Sequence, residues 1–150
     1  MTDQIDTTRL PGSTDLHYLL ASITPVLSPT RHTYCTIPRD QKAPALESQA
    51  VATFLEAEGK TLVVEFEAAV RAGVEPVGEW AMLTMKVHSS LEAVGFVAAI
   101  ASALAEQRIS ANVMSGFFHD HVLVQWSRRH EAVAALEALA IRHRSVPAPQ

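Results

Sequence analysis

The clearest hydrophobic pattern in the chain lies in its second half, where two periodicities meet. Apolar and polar residues alternate over 80–88, which places Leu83, Met85 and Val87 on one face of a predicted strand. Over 90–107 the apolar residues recur every three or four positions instead, which predicts a helix. The inward stripe expected for this helix is Val94, Val97, Ile100 and Leu104.

Two more strands and a second helix complete the order of elements in this half. Residues 109–115 and 121–126 alternate again, with a turn at His119 and Asp120 between them, and residues 129–143 return to the helical period. The order β-α-β-β-α is that of a ferredoxin-like unit without its last strand. Its helices are expected on one face of an antiparallel sheet, which leaves the other face for a partner.

The first half is less regular and predicts a similar unit in which a loop replaces the first helix. A leading helix carries the apolar residues from Leu16 to Ile23, with Ser13 or Thr14 as its N-cap and Pro25 as its end. The elements predicted after it are a strand over 33–37, a loop over 39–44, a hairpin with strands 50–55 and 61–66, and a short helix over 67–72. The segment 50–55 also fits a helix, because Ala, Leu and Glu are good helix formers.

The polar turn at Ser89 and Ser90 is the first candidate site. Ser89 is predicted to cap the following helix, with Glu92 at the spacing of a capping box. The free N–H groups of a helix start, together with hydroxyl side chains, suit a small anion such as a carboxylate. From these residues alone, a simple cap without any ligand is the favoured interpretation.

The composition allows a sizeable core and limits the choice of partners. The chain has 150 residues, of which 48% are hydrophobic, and a formal net charge of −4. A mildly acidic chain without a basic run argues against nucleic acid as a main partner. No apolar stretch reaches the roughly 18 residues that a membrane-spanning helix needs, so no membrane partner is expected.

Cysteine and histidine usage offers little chemistry. The single cysteine, Cys35, rules out an internal disulfide and suits a reducing compartment. The polar start of the chain does not resemble a signal peptide, so the cytoplasm is the expected location. No nucleophilic motif surrounds Cys35, and His119 and His121 lack further clustered ligands. We therefore expect no catalytic residue, no metal and no cofactor, and hence no enzyme.

Two short segments, 87–95 with the sequence VHSSLEAVG and 118–121 with the sequence FHDH, resemble the ACT domain. The likeness is greatest to a bacterial group of small stand-alone proteins with two ACT-like modules, and it extends more loosely to 52–54 and 58–64. The resemblance implies an α+β architecture. Two ferredoxin-like modules would pack side by side, with antiparallel sheets and helices on one face.

The same resemblance implies a ligand, because paired ACT modules bind a free amino acid at the interface between modules. Ser89, Ser90 and Leu91 match positions that meet the carboxylate of the ligand. Asp120 matches an acidic position that can meet an ammonium group or a basic side chain. The alternative, which involves no ligand, is that Asp120 is only a turn residue, since Asp favours turns.

Phe118 and His119, next to Asp120, belong to the same implied ligand-binding site. The aromatic pair at this point is usually tyrosine in the related group, so the pair Phe117 and Phe118 lacks two hydroxyls. Arg108 stands where a small residue or glycine is usual, often with a positive φ. The end of the preceding helix is therefore expected to differ in shape.

Together the patterns and the resemblance predict an organisation and a function. The predicted divisions are a disordered leader over 1–12, a first, atypical ACT-like module over 13–78, a second ACT module over 79–143 and a tail over 144–150. The predicted function is a regulatory module that senses a free amino acid and forms a homodimer, with room for an unidentified protein partner. The alternative is a ligand-free interaction or dimerisation module.

Overall fold

The computed structural model describes residues 11–145, which form six strands and five α-helices. The elements are α1 (Leu16–Ala21), β1 (Pro25–Pro38), α2 (Pro44–Glu47), β2 (Ala52–Leu55), β3 (Gly59–Glu65), α3 (Phe66–Arg71), β4 (Val77–Met85), α4 (Phe96–Glu106), β5 (Asn112–Ser115), β6 (Asp120–Gln125) and α5 (Arg129–Arg144). A 3₁₀ turn at Trp126–Arg128 joins β6 to α5. Most of the leader predicted over 1–12 and of the tail predicted over 144–150 lies outside the described residues.

All six strands form one antiparallel sheet in the order β2-β3-β1-β4-β6-β5, with the helices packed against one of its faces. The predicted α+β class, the antiparallel pairing and the helices on one face are therefore confirmed. The two predicted sheets are a single sheet, because β1 pairs with β3 along one side and with β4 along the other.

Each half of the sheet includes the start of a strand that belongs mainly to the other half. Residues 25–27, at the start of β1, pair with residues 83–85 of β4. This segment occupies the place of the fourth strand that the β-α-β-β-α order of the second half lacked. In the same way Val77, at the start of β4, pairs with Tyr34 in the first half. The two central strands thereby hold both halves together.

Two hydrophobic cores lie between the helices and the sheet. The core of the first half contains Cys35, Leu46 and Leu62, and that of the second half is built largely from α4, α5 and the sheet beneath them. The second core also includes three apolar residues of α1 and its C-terminal flank, namely Leu19, Leu20 and Ile23. Full burial of one such side chain contributes about 1.5–3 kcal/mol, so α1 is held on the second half. The division of the chain between residues 78 and 79 stays a prediction.

The sheet curls strongly, so that its second face is concave. β2 and β5 lie at opposite ends of the strand order, yet Ala52 of β2 and Met114 of β5 line one cleft. Val63 and Leu123 point away from the helices, since their neighbours Val64 and Val122 belong to the two cores, and both are nevertheless fully buried. The curl of the sheet therefore buries residues on the face opposite the helices as well.

Helix α4 begins at Phe96, six residues later than predicted, and this changes the candidate site. Its N-cap is Gly95, whose φ of 92° is in the left-handed region that favours glycine. The capping box predicted at Ser89 is wrong, because the hydroxyl of Ser90 instead accepts a hydrogen bond from the N–H of Glu92 at 3.1 Å and stabilises a turn. Val94, predicted to face the core, is 85% exposed, and Phe96 takes that place at 1%.

Other differences from the predicted elements have local causes. The N-cap of α1 is Asp15 rather than Ser13 or Thr14, since its carboxylate accepts from the N–H of Tyr18 at 3.0 Å. Pro25 does end the helical region, but it also opens β1, which continues past Pro29 through an irregularity in its pairing with β4. The helix α2, whose N1 residue is a proline, begins at the end of the loop predicted over 39–44.

Three further positions bear on the sequence expectations. The hairpin predicted in the first half is confirmed as β2 and β3, so the helical alternative for 50–55 is wrong. Asp120 is the first residue of β6 instead of a turn residue. Arg108 adopts the positive φ that is usual at its position in the related group, with φ 56°, so the backbone angle at this residue does not show the expected difference in shape. Its N–H donates to the carbonyl of Ala105 at 2.8 Å.

A buried histidine makes stability depend on pH. His32 is 3% exposed, and its Nδ1 has no hydrogen-bond partner in the described part of the chain. Burial lowers the pKa of His32 below its usual 6.5, against a backbone hydrogen bond to Thr30 and the charge of Glu65. Below the pKa that His32 has in the unfolded chain, the unfolded chain therefore binds more protons at this histidine than the folded chain does. The free energy of unfolding therefore decreases as the pH falls through this range.

We expect the urea midpoint to be lower near pH 5.5 than near pH 7.5, and His32→Leu to reduce the difference. The substitution removes the group whose protonated form the folded state disfavours. Urea titrations of both proteins at the two pH values measure it. A pH dependence that His32→Leu leaves unchanged would show that another group is responsible.

Candidate functional site

Ser89 and Asp120, which the sequence assigned to one site, lie in direct contact. Ser89 is in the loop between β4 and α4, and its Oγ donates to Oδ2 of Asp120 at 2.6 Å. The hydroxyl of Ser115, at the end of β5, donates to Oδ1 of the same carboxylate. Ser89 and Asp120 are 6% and 3% exposed. Through these two hydrogen bonds the buried Asp120 links the β4–α4 loop to the start of the β5–β6 turn.

The chemistry of this contact is that of a buried carboxylate held by neutral hydroxyls. Hydrogen bonds to a charged acceptor are stronger than those between neutral groups. A carboxylate has about four acceptor positions, and the hydroxyls of Ser89 and Ser115 use two of them. No cationic side chain within residues 11–145 forms an ion pair with Asp120.

The N-terminal segment closes one side of the β4–α4 loop. Ser13 donates its N–H to the carbonyl of His88 and accepts from the N–H of Ser90, both at 2.9 Å, so the two segments form a short parallel bridge. Gly12 lies so close that a Cβ there would be 2.5 Å from the carbonyl carbon of Ser89. Only glycine fits this close approach. Gly12, which was predicted to belong to the leader, is therefore part of the site.

The predicted nest of free N–H donors at Ser89–Leu91 is therefore wrong in part. The N–H of Ser89 donates to the carbonyl of Val87 at 3.1 Å, and that of Ser90 donates to Ser13. Within residues 11–145 the N–H of Leu91 has no acceptor, so it is a loop donor that remains available to solvent or to a ligand.

A groove of about 230 Å³ lies along the outside of this loop. The residues that line it are Pro11, Gly12, Ser90, Leu91, Glu92 and Phe117. Leu91 and Phe117 are 65% and 50% exposed, so the groove is open on one side. Its lining residues include a serine, a glutamate and a phenylalanine, together with Leu91, whose N–H has no acceptor among residues 11–145.

The β5–β6 turn contributes an aromatic cluster beside the groove. Phe117 and Phe118 meet edge to face at 5.0 Å between ring centroids, and the ring of His88 lies 5.5 Å from that of Phe118. Nε2 of His88 is buried without a hydrogen-bond partner among the described residues. Phe117 lines the groove, whereas Phe118 packs beside Phe117 and is 44% exposed.

His119 closes the same turn through its backbone. Its carbonyl accepts from the N–H of Gly116 at 2.9 Å. Partial burial lowers the pKa of His119, and the positive charge of Lys86 lowers it further. The imidazole therefore favours its neutral form. Ligand contacts by Phe118 and His119 stay predictions.

Four residues of the groove were not in the predicted ligand set. Pro11 and Gly12 were assigned to the leader, Glu92 to a capping box, and Phe117 was noted only as half of an aromatic pair. No local pattern marks Gly12, because its role depends on the backbone of Ser89, 77 positions along the chain, lying against it. Among residues 11–145 there is also no group of three His, Cys, Asp or Glu side chains placed to hold a metal ion.

One curled antiparallel sheet, in which two halves share central strands and carry helices on one face, defines a paired ferredoxin-like module. Sequence profiles described as ACT domain match residues 11–80 and 77–138. The chain belongs to the ACT domain family and carries two ACT modules in tandem, as the resemblance at 87–95 and 118–121 implied. ACT domains are regulatory modules.

Three solved structures illustrate the relationship. A protein of unknown function from Vibrio cholerae, described as a possible transport protein, is 42% identical over 83% of this chain and 95% of its own, with a TM-score of 0.74. An Agrobacterium tumefaciens protein is 17% identical over 79% and 89%, with a TM-score of 0.64. The ligand-free regulatory subunit of aspartate kinase from Thermus thermophilus is 13% identical over 79% and 98%, with a TM-score of 0.56. The last two show the fold alone.

No curated protein is similar enough in sequence to match the chain. Within residues 11–145, none of the helices combines the length and the apolar character required to cross a bilayer.

Proposed function

We propose that this protein is a regulatory module that binds a free amino acid in the groove beside the β4–α4 loop. The observation that carries the proposal is that Ser90, Leu91 and Glu92 line one groove of about 230 Å³, and that the N–H of Leu91 has no acceptor among residues 11–145. A free amino acid carries a carboxylate and an ammonium group, and it needs both donors and an acceptor.

In this arrangement the ligand carboxylate accepts from Leu91 and from Ser90. The hydroxyl of Ser90 already accepts from the N–H of Glu92, so its own proton is available to a ligand. The ammonium group meets Glu92, which is exposed and lines the groove. Asp120 and Ser89 position the loop from beneath, and Asp120 has acceptor capacity left for a basic group that reaches it.

We further propose that the groove is completed by a second copy of the chain, in a homodimer. Leu91 and Phe117 leave its outer side open, and an amino acid bound there would remain largely in water. A module of the second copy placed over this side would exclude water and strengthen the charged hydrogen bonds. This places the ligand at an interface between ACT modules.

A thermal-shift screen against the twenty amino acids tests the proposal. A ligand at about 100 times its Kd stabilises the folded state by about 2.7 kcal/mol, which raises the Tm of a chain this size by about 5–10 °C. Glu92→Gln should weaken binding about tenfold or more, since it removes one charged acceptor. The control Glu75→Gln changes an exposed glutamate in the link between α3 and β4.

The proposal fails if no amino acid at millimolar concentration shifts the wild-type Tm, or if Glu92→Gln and Glu75→Gln respond alike. The first result would favour a ligand-free interaction module. The feature that supports this second candidate is the edge strand β2, where Phe54 and Leu55 are 50% and 80% exposed and the preceding Val51 is 52% exposed. Exposed apolar edges of this kind pair readily with another chain.

A further inference from the structure

A second and larger cavity lies on the concave face of the sheet, away from the groove. This cleft has a volume of about 370 Å³ and lies between the two edge strands. Its principal side chains are Ala52, Phe54, Met82, Met114, His121 and Leu123. Small-ligand sites commonly have volumes of about 300–1,000 Å³ and a mostly apolar lining. The cleft meets both conditions, and the two halves of the chain line it jointly.

The cleft is also lined by a histidine that is held in one orientation. Nδ1 of His121 is hydrogen-bonded to Oγ1 of Thr84 at 2.9 Å. Nε2 lies next to Gly116, where a Cβ would be 3.6 Å away, so it faces the end of the cleft that Gly116 lines. Burial lowers the pKa of His121, with a smaller opposing effect from Asp120, and the ring favours its neutral form.

None of the Asp, Glu, Lys or Arg residues within 11–145 lines the cleft. A charged group that entered it would lose its water without gaining a partner of opposite charge, which is costly. A free amino acid, with two charges, is therefore unsuited to this cavity. The cleft and the groove at Ser90 and Leu91 select different chemistry.

Two buried polar atoms lie just beyond the apolar floor of the cleft. Oε1 of Gln125 and Nδ1 of His32 are buried without partners among the described residues. Gln125 follows Leu123 on the same face of β6. It pairs with Trp80 of β4, which in turn pairs with His32 of β1. Met82, which lines the cavity, is the next position on the same face of β4 from Trp80, and its flexible side chain adapts to what packs against it.

We propose that the concave cleft is a binding site for a small uncharged molecule that combines one apolar ring with one hydrogen-bonding group. The ring fits between Met82, Met114 and Leu123, and the polar group meets Nε2 of His121. Such a ligand joins β2 of the first half to β5 and β6 of the second. The inference stands independently of amino-acid binding in the groove.

p-Cresol and toluene are matched probes for this site, since they differ only in the hydroxyl. Methionine methyl NMR reports on it directly, because Met82 and Met114 line the cleft while Met85 is buried in the core on the other face. We expect saturable shifts of the Met82 and Met114 signals with p-cresol and no shift of Met85. Toluene should bind at least about fivefold more weakly, because it covers Nε2 of His121 without offering that nitrogen a hydrogen bond.

Two variants and one control separate the site from general hydrophobic binding. His121→Phe should remove the difference between p-cresol and toluene. Ala52→Phe should fill the cleft and abolish the shifts, whereas Leu55→Phe adds the same ring to β2 at a position that does not line it. The singly charged p-toluate should bind more weakly than p-cresol.

Several results would overturn the proposal. Non-saturable shifts, equal shifts at Met85, or binding that persists in Ala52→Phe would show that the cleft is not the site. Equal affinity for p-cresol and toluene in the wild type would remove the role of His121. Shifts of Met82 and Met114 that follow protein concentration instead of probe concentration would show that a second copy of the chain occupies the cleft.

Discussion

Replacing Phe96 by alanine should lower the free energy of unfolding by about 3–5 kcal/mol, while Val94→Ala should change it by no more than about 0.5 kcal/mol. Phe96 is the first residue of α4 and is 1% exposed in the core of the second half. Val94 precedes the helix and is 85% exposed. Truncation therefore leaves a cavity at one position and removes only solvated atoms at the other.

The pair distinguishes the observed helix start from the one that the hydrophobic period predicts. If the helix began at Ser90, Val94 would lie in the inward stripe and its truncation would cost more. Urea unfolding, followed by far-UV circular dichroism with the slope of the transition compared between variants, measures both values. Equal destabilisation by the two substitutions would contradict the described loop over 89–95.

Replacing Asp120 by alanine should destabilise the protein by about 3 kcal/mol, because two buried hydroxyls lose a charged acceptor. Ser89 and Ser115 both donate to this carboxylate, and the first of these bonds anchors the β4–α4 loop. Asp120→Asn should cost less, since the amide keeps one acceptor oxygen. Asp40→Ala, at an exposed turn, is the control and should have little effect.

A double-mutant cycle of Asp120→Ala with Ser89→Ala isolates the contact between them. We expect the two changes to be clearly non-additive, with the combined loss smaller than the sum of the single losses. The same variants should weaken amino-acid binding in the groove, because the loop that carries Ser90 and Leu91 loses its support. Additive losses would indicate that Asp120 and Ser89 act on stability separately.

The sequence indicated the order of elements better than their limits. Alternation over 80–88 and helical spacing after it predicted the strand and the helix, and the hairpin of the first half was also correct. The helix start was misplaced because Ser89 and Glu92 have the spacing of a capping box, and Val94 falls in the helical period. The φ of 92° at Gly95 sets the true boundary, and a glycine alone does not reveal its φ.

The long central strand could not be read from local pattern. Pro25 and Pro29 indicate the end of a helix, and neither predicts a strand. β1 tolerates Pro29 because the pairing with β4 is irregular between Leu27 and Arg31. That irregularity depends on β4, about 50 residues further along the chain, and the completion of the second half by residues 25–27 depends on it as well.

The candidate site followed mainly from the family resemblance, which assigned Ser89 and Asp120 to the same site although they are far apart in the chain. Their contact at 2.6 Å agrees with one site, although it directs the side chain of Ser89 inward and away from a ligand. Gly12 and Glu92 entered the site only through the fold. Local patterns identify a turn, while the partners of its backbone groups come from distant segments such as Ser13.

A crystal structure grown with the amino acid that raises the Tm most is the most direct test of amino-acid binding in the groove. We predict density for the ligand beside the β4–α4 loop, with its carboxylate within hydrogen-bond distance of the N–H of Leu91 and its ammonium group near Glu92. Density for the amino acid in the concave cleft lined by Met82 and His121, or an empty groove at saturating concentration, would contradict the proposed function.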